Sequence, residues 1–333
     1  MTHIKMALGF RESFLKGLYM KLIAPDYYEK FVCIADRCKH SCCIGWQIDI
    51  DEDTLRDYQS VGGAFGERLH EGIEIKDGCA CFRLGEDERC PFLNEKGLCD
   101  IILNLGEDRL SQICTDHPRF CTFWSDRTEI GLGLCCEEAA RIILSQKKKT
   151  EHIALQDDGE YGDLPEEEEA FLYEREKMFS IVQNRSMSVS ERVRALCEEF
   201  CVDVPKKSFG EWIDVFLSLE IMDGAWKELL REAKENGLPQ EENGDFETAW
   251  EQILVYFIYR HVSDPEQDVR KKIFFSVLGV SFIRGLFAYV CKRDGKSDFE
   301  SLVELCRLYS SEIEYSEENT EILMESVTWE ETV

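Results

Sequence analysis

Cysteine dominates the first half of this 333-residue chain, because twelve of its sixteen cysteines lie between Cys33 and Cys136. The run opens with Cys33-x4-Cys38-x3-Cys42-Cys43 and closes with Cys135-Cys136, and between them stand Cys79, Cys81, Cys90, Cys99, Cys114 and Cys121. Thiols at this density are typical of disulfide-stapled domains or of thiolates that bind metal ions or iron–sulfur clusters. The choice between these two uses constrains what the chain folds into.

The length and the first residues favour metal binding over disulfides. A chain of 333 residues is long enough for two domains with their own cores, so it does not need covalent staples. Residues 1–23 carry scattered lysine and arginine and lack the continuous apolar segment and cleavage site of a secretory signal. We therefore expect a cytoplasmic, reduced protein, in which clustered cysteines more often bind metal.

The start of the working protein is a separate question. Lys16-Gly17 can be encoded AAA-GGA, which resembles a bacterial ribosome-binding site two codons ahead of Met20. Our hypothesis is that residues 1–19 are a translated leader or N-terminal extension. The alternative is an ordinary amphipathic N-terminal helix.

The net charge of −28 restricts the class of partner. Nucleic-acid binding draws on faces rich in lysine and arginine, so we expect no nucleic-acid partner. The acidity either serves solubility or attracts a partner that presents lysine side chains.

Pattern and composition predict a mainly α fold with small irregular β elements. A cysteine-rich domain is expected over residues 20–150, an acidic linker over 151–165 and an all-helical domain over 166–333. In the first domain we predict strands near 47–51, 82–84 and 90–93 and a turn at 94–97. We also predict three helices. The first is capped by Asp51 or Asp53, the second covers 99–105, and the third runs from the Cys135-Cys136 pair to Leu144.

Helix signals continue through the second domain. Ser188 and Glu191 form a capping box, Asp264-Pro265 should start a helix, and Ser297 with Glu300 should cap the next. The stretch 273–291 is apolar enough to suggest a membrane span. Because Arg284, two glycines and two serines interrupt it, we predict a buried helix and no transmembrane segment.

No general motif assigns the metal. The Cys-x2-Cys knuckles of structural zinc sites are absent, and Gly45 stands where the radical-enzyme spacing needs its third cysteine. Ferredoxin spacings are absent as well. Ligands from separated segments could converge on one [4Fe-4S] centre or on more than one metal, with zinc as the alternative. We expect about half of the cysteines to be ligands, and others, such as Cys79, Cys81 and Cys135, to be buried apolar side chains.

The region over residues 20–145 resembles a known family, the flagellin lysine N-methylases. Its N-terminus is similar in the run Tyr27-Tyr28-Glu29-Lys30-Phe31-x-Cys33-x4-Cys38-x3-Cys42-Cys43-x-Gly45-Trp46-x-Ile48-x-Ile50-Asp51. Later similar blocks are Cys90-Pro91-Phe92-Leu93, Leu98-Cys99, His117-Pro118-Arg119 and Cys136-x-Glu138-Ala139-Ala140-Arg141. The cysteine pair and the Cys-Pro-Phe-Leu block also resemble a wider group of zinc- or iron-chelating cysteine-cluster proteins. The helical remainder is similar only in character.

The resemblance implies a cytoplasmic bacterial enzyme that moves a methyl group from S-adenosylmethionine to surface lysines of flagellin. It also implies dependence on a [4Fe-4S] cluster. Glu137 is a departure, since the family usually has proline there. The candidate metal ligands are Cys33, Cys38, Cys42, Cys43, Cys90, Cys99, Cys114, Cys121 and Cys136.

Lysine chemistry suggests which other residues act. A lysine ammonium has a pKa near ~10.4 and no lone pair, so a methylase must accept it and then deprotonate it. Asp116, His117 and Glu138 are the candidate catalytic groups, and Arg119 could bind the carboxylate of the cofactor. The alternatives are a structural histidine before Pro118 and an arginine that merely pairs with a local acid. Helix capping is the preferred role for the other nearby acids, Asp49 and Asp51.

The cofactor pocket cannot be read from the sequence. No strand–Gly-x-Gly-x-x-Gly–helix unit occurs. S-adenosylmethionine could chelate an open iron of the cluster, or the reaction could be an ordinary displacement with a structural cluster. The competing function is a non-catalytic zinc- or iron-binding module for metal delivery or protein interaction.

Overall fold

The computed structural model describes residues 21–76, 78–86, 88–157, 159, 162–237 and 246–327. The hypothesis about a leader over residues 1–19 lies outside this part. The described fold is mainly helical with a small sheet, as predicted. The metal-binding role of the cysteine-rich part stays a prediction.

Two compact units make up the described chain. Unit 1 comprises 31–120, and unit 2 comprises 21–30 together with 121–327. The units separate at residue 120, and the predicted division by an acidic linker at 151–165 stays a prediction.

Unit 1 combines short helices with a β-hairpin around a small core. Its helices are α1 (Glu52–Ser60), α2 (Gly63–Glu71), α3 (Asp100–Leu105) and α4 (Gln112–Asp116), and its antiparallel hairpin is β2 (Ile73–Lys76) with β3 (Cys79–Phe82). The core residues include Ile48, Ile50, Tyr58, Leu69, Phe82, Phe92 and Ile101. Two predicted helix boundaries are confirmed, since the Asp51 carboxylate accepts from Thr54 N at 2.9 Å and Gly106 ends α3 at φ 103°.

The predicted strands of unit 1 are only partly correct. Residues 47–51 are extended and bond to β3, with Ile50 N donating to Ala80 O at 2.8 Å and Phe82 N to Ile48 O at 3.0 Å. The hairpin strand is β3, three residues ahead of the predicted 82–84. Residues 90–93 form no strand, because Leu93 N donates back to Cys90 O and curls the chain into a turn.

A four-stranded sheet in the order β4-β5-β1-β6 lies in unit 2, except for Arg119 and Phe120 at the start of β4, which belong to unit 1. The strands are β1 (Lys21–Pro25), β4 (Arg119–Phe123), β5 (Arg127–Leu132) and β6 (His152–Gln156). Strand β1 runs parallel to β5, with Ile23 opposite Glu129, and antiparallel to β6, with Ile23 opposite Ala154. Strands β1 and β6 were not predicted, and β6 lies inside the acidic stretch expected to be a linker.

Nine α-helices are described in unit 2, and α10 and α11 form its interior. They are α5 (Glu137–Leu144), α6 (Glu166–Val182), α7 (Val189–Glu199), α8 (Phe209–Ser218), α9 (Gly224–Asn236), α10 (Glu247–His261), α11 (Val269–Asp294), α12 (Phe299–Tyr309) and α13 (Glu317–Glu325), with a π-helix at Ser310–Glu314. Helix α10 packs against α5, α6 and α11, and α11 also packs against α12 and α13. The predicted all-helical character holds for the described residues after 165.

Helix boundaries in unit 2 test the predicted caps. The Ser188–Glu191 capping box is confirmed. Helix α11 starts at Val269 after its cap Asp268, so the predicted start at Asp264-Pro265 is wrong. Helix α12 is capped by Asp298, whose carboxylate accepts from Ser301 N at 2.8 Å, so the choice of Ser297 is one residue off.

Helix α11 is long and apolar enough to cross a membrane by length and composition alone. In unit 2, 78% of its most apolar window is buried, which matches the predicted buried helix. A single helix of this kind is weak evidence for a membrane span, since core helices of folded proteins pass the same criteria.

Candidate functional site

The vicinal pair Cys42-Cys43 is held against a second segment of unit 1. Gly45, at φ 92°, donates its N–H to Glu88 O at 3.1 Å, and Cys90 N donates to Cys43 O at 2.8 Å. The Trp46 indole N–H donates to Cys42 O at 2.7 Å. These backbone bonds bring Cys43 next to Cys90, although 47 positions separate them in the sequence.

Two further thiols are brought to this place by a turn and by α4. The Asn94 side chain accepts from the N–H groups of Lys96 and Leu98, and the resulting turn returns the chain so that Leu93 pairs with Cys99. The Asp51 carboxylate accepts from Gln112 N at 2.8 Å and thereby fixes the start of α4, which carries Cys114.

Six thiols interact electrostatically, and we call them the thiol group: Cys33, Cys42, Cys43, Cys90, Cys99 and Cys114. A hydrogen bond from Cys42 lowers the pKa of Cys43 to about 7, with help from Ser41 and Arg89, and the pKa of Cys42 rises in turn. Burial raises the pKa of Cys90 and of Cys114 to about 12, and charge on Cys43 adds to the rise.

The donor chemistry of the thiol group fits a soft metal centre. Thiolates bind zinc and iron–sulfur clusters, and a metal cation would offset the burial that raises the pKa of Cys90, Cys99 and Cys114. In the described part of the chain, however, no three His, Cys, Asp or Glu side chains are already arranged around one metal position. The ligand assignment therefore stays a prediction.

The three other candidate ligands are Cys38, Cys121 and Cys136. The Cys38 thiol donates to the His40 carbonyl at 3.2 Å. Cys121 lies in β4 and Cys136 caps α5, so both belong to unit 2. The thiol group thus contains six of the nine predicted ligands.

Asp116, His117 and Arg119 lie together at the end of α4. Burial raises the pKa of Asp116, which accepts from the Gln112 amide at 2.7 Å. Burial and the neighbouring Arg119 lower the pKa of His117 to about 4, so its imidazole is neutral at pH 7, with its ring centroid 6.3 Å from that of Trp46. Arg119 donates to Thr115 O at 3.1 Å and lies over the Phe31 ring, while its buried Nε has no hydrogen-bond partner.

Glu138 belongs to unit 2 and is engaged in an ion-pair network. Arg141 forms ion pairs with Glu137, Glu138 and Glu300. The pair with Glu300 links α5 to α12. Asp116, His117 and Arg119 therefore lie together in unit 1, and Glu138 lies in unit 2. The catalytic roles of all four stay predictions.

Sequence reasoning missed a buried charge network around Glu314, the last residue of the π-helix. Its fully buried carboxylate lies 2.6 Å from His261 Nε2 and 3.6 Å from Arg260 Nε, and accepts from the Tyr256 hydroxyl at 3.0 Å. Charge–charge attraction to Arg260 and the bond to His261 outweigh burial and lower the pKa of Glu314. The only sequence signal was the Arg260-His261 pair that ends an apolar helix, since its partner is more than fifty positions away.

The fold and these sites define a class: a mainly helical protein with a small sheet and a cysteine-rich unit. Comparison with known proteins adds a family. Residues 207–331 match the FliB lysine N-methylase C-terminal domain. The resemblance to flagellin lysine N-methylases is confirmed, but the expectation that the helical part is similar only in character is wrong.

Three curated relatives are similar to parts of this chain. The lysine-N-methylase of Salmonella typhimurium strain LT2 is 27% identical over 127 residues, and that of Salmonella choleraesuis strain SC-B67 is 30% identical over 133 residues; each match covers 36% of this chain and 32% of the relative. The flagellar biosynthetic protein FliU of Salmonella muenchen is 28% identical over 127 residues, which cover 36% of this chain and 75% of FliU. The chain thus spans about a third of the length of the two methylases. No solved structure matches it significantly.

Proposed function

We propose that this protein is a cytoplasmic, S-adenosylmethionine-dependent protein-lysine N-methyltransferase that acts on flagellin. The observation that carries the proposal is the match of residues 207–331 to the FliB lysine N-methylase C-terminal domain. The names of the relatives, two lysine-N-methylases and one flagellar biosynthetic protein, support the reaction type and the flagellar setting.

The proposal includes a [4Fe-4S] cluster held by members of the thiol group. Cys43 is the natural first ligand, because its pKa of about 7 makes it the most readily ionised thiol of the group. When bound, the cluster would supply either an open iron that chelates the methyl donor or a structural anchor for unit 1.

The residues of the chain itself have separate tasks in this proposal. The lysine ammonium must lose a proton before it accepts a methyl group, and the buried carboxyl of Asp116, with its raised pKa, would take that proton. His117 remains neutral and so adds no repulsion to the incoming ammonium. The unpartnered Nε of Arg119 would donate to the carboxylate of the methyl donor.

One observation favours a second candidate, a non-catalytic zinc- or iron-binding module. The thiol group lies wholly in unit 1, whereas the matched family domain lies wholly in unit 2. Unit 1 could therefore bind metal for delivery or interaction without any part in methyl transfer.

Flagellin from cells with and without the gene tests the proposed function. Peptides of flagellin from gene-deleted cells should lack the methyl-lysines found in the parent, and a plasmid copy of the gene should restore them. A plasmid copy that carries Arg119→Ala should restore far less lysine methylation. Identical lysine methylation in the parent and the deletion strain would contradict the proposal and favour the metal-binding module.

A further inference from the structure

An open groove of about 450 Å³ lies in unit 2, between the sheet and α6. Strands β1, β5 and β6 form one wall and α6 forms the other. Its lining side chains include Glu129, His152, Arg175, Glu169 and Glu176. None of the sequence motifs pointed to it.

The floor of the groove is a buried ion pair with unused bonding capacity. Glu129 Oε1 lies 2.5 Å from Arg175 Nη2, and both side chains are at most 5% exposed. The Arg175 guanidinium lies over the rings of Trp124, Tyr259 and Phe179, at 5.1, 5.8 and 6.0 Å from their centroids, so it cannot swing away freely.

Three residues that line the groove each have a buried polar atom without a hydrogen-bond partner: Glu129 Oε2, Arg175 Nε and His152 Nε2. Buried polar atoms are nearly always bonded, and leaving one unbonded costs about 1–3 kcal/mol. Three such atoms lining one groove indicate the place of a polar ligand. Glu129 Oε2 is a charged acceptor, so it favours a ligand that donates.

The charges of the lining select a cation. Arg127 forms two bonds to Asp126, Lys21 lies 3.7 Å from Asp157, and Arg175 has Glu129. In the described part of the chain, no cation lies within ion-pair distance of Glu169 or Glu176, which stand on α6 at the exposed rim. The groove therefore has more carboxylate charge than it neutralises itself.

The shape of the groove favours one kind of cation. Apart from His152 and Tyr173, its uncharged lining is aliphatic, with Ile23, Ala154, Leu164 and Leu172, and so suits a chain of methylene groups. Each lining cation already has a carboxylate, so no cation is left for the carboxylate of a free amino acid or of S-adenosylmethionine. An ammonium at the end of an alkyl chain, with its carboxyl in a peptide bond, satisfies both conditions.

We propose that this groove binds a lysine side chain of the substrate protein other than the one that is methylated, with its ammonium between Glu129 Oε2 and the Glu176 carboxylate. The inference rests on the proposed function and adds to it the site at which the substrate is recognised. The methyl donor would then bind outside the groove.

Calorimetric titration of the full-length protein with Nα-acetyl-lysine N-methylamide tests the site without any methyl transfer. Glu176→Gln removes a rim charge and should weaken binding about tenfold or more. Glu129→Gln should do the same, and its thermal unfolding midpoint shows whether it folds. Glu167→Gln, on the same helix but outside the lining, should bind like the parent protein, and the norleucine analogue should not bind.

Two results would overturn the site. One is equal lysine-amide affinity in Glu176→Gln, Glu167→Gln and the parent. The other is loss of S-adenosylmethionine binding in Glu176→Gln with lysine-amide binding unchanged, which would assign the groove to the methyl donor. Binding is measured without turnover, so the two proposals can fail separately. Specific lysine-amide binding by a protein that methylates nothing would reject the proposed function and still support the lysine site in the groove.

Discussion

At the scale of single residues, Cys43 separates two kinds of cysteine in this chain. Its thiol has a pKa of about 7 within the thiol group, whereas Cys197 on α7 has a pKa raised by burial to about 11. A low pKa favours the thiolate that binds metal, and a raised pKa favours an inert thiol. The two positions therefore form a matched pair for substitution.

Cys43→Ser should lose most of its iron and sulfide after anaerobic reconstitution, because an alcohol is a poor ligand for a soft metal. Cys197→Ser should keep the content of the parent protein. Iron and sulfide analysis together with visible absorbance measures both. Equal losses in the two variants would contradict the assignment, and stoichiometric zinc without sulfide would favour the metal-binding module.

His152 makes a pH-dependent contribution to stability. Burial and Arg175 lower its pKa from 6.5 to about 3, while its ring stacks on Tyr259 at 4.5 Å. As the pH falls through 6.5, His152 takes up a proton in the unfolded chain but not in the folded protein. The free energy of unfolding therefore decreases. Its contribution is fully present above pH 6.5 and is lost between pH 6.5 and about 3.

The parent protein should therefore lose up to about 2 kcal/mol more of its free energy of unfolding between pH 7 and pH 5 than His152→Phe does. Phenylalanine keeps a flat ring in that position but does not titrate. Urea denaturation at the two pH values gives the difference. The same pH dependence in both proteins would show that His152 is not held neutral.

At the scale of elements, the packing of α11 leaves no room for a side chain at Gly279. A Cβ added at Gly279 would lie 2.9 Å from Phe257 Cζ and 3.0 Å from the Tyr309 hydroxyl, and both rings are fully buried. Nothing lies within 4 Å of a Cβ added at Gly210 in α8. Both glycines lie in helices, but only Gly210 has room for a Cβ atom.

Gly279→Ala should lower the free energy of unfolding by about 1–3 kcal/mol, the usual effect of overpacking a core. Gly210→Ala should leave it unchanged or raise it by up to about 1 kcal/mol, since alanine favours a helix. Chemical denaturation of both variants makes the comparison. A Gly279→Ala protein as stable as the parent would mean that α10 and α12 pack loosely around this position.

Elements were predictable where neighbouring residues determine them. Asp51 and Ser188 cap helices through residues three positions away, so their motifs are visible in the sequence. Strand β1 escaped prediction because its partners, such as Glu129 and Ala154 beside Ile23, are more than a hundred positions distant. Strand β6 was not predicted because its acidic surroundings suggested a linker.

At the scale of the whole molecule, the sequence predicts which kinds of side chain form a site. It does not predict which of those side chains the fold brings together. The cysteine pattern indicated a thiol site, but which six thiols interact depends on the turn at Asn94 and on the bonds from Cys42–Trp46 to Glu88–Cys90. The pair Glu129–Arg175 joins residues 46 positions apart and left no motif. The net charge of −28 and the resemblance to lysine N-methylases hinted that the protein binds an ammonium, but not where.

That charge makes the proposed reaction dependent on salt. Attraction between an acidic protein and surface lysines is screened over ~8–10 Å at ordinary ionic strength. The rate of methylation should therefore fall as sodium chloride rises. Oxygen should abolish the activity if the cluster takes part in catalysis or holds the site together.

A methyl donor labelled with deuterium tests the proposed methyl transfer from S-adenosylmethionine to flagellin lysines. Anaerobically reconstituted protein is mixed with flagellin of the same organism and with S-adenosylmethionine whose methyl group carries deuterium, and flagellin peptides are analysed by mass spectrometry. Lysine-containing peptides should gain roughly 17 mass units for each CD3 that replaces a hydrogen. Unlabelled flagellin in the presence of intact cluster and bound donor would contradict the account.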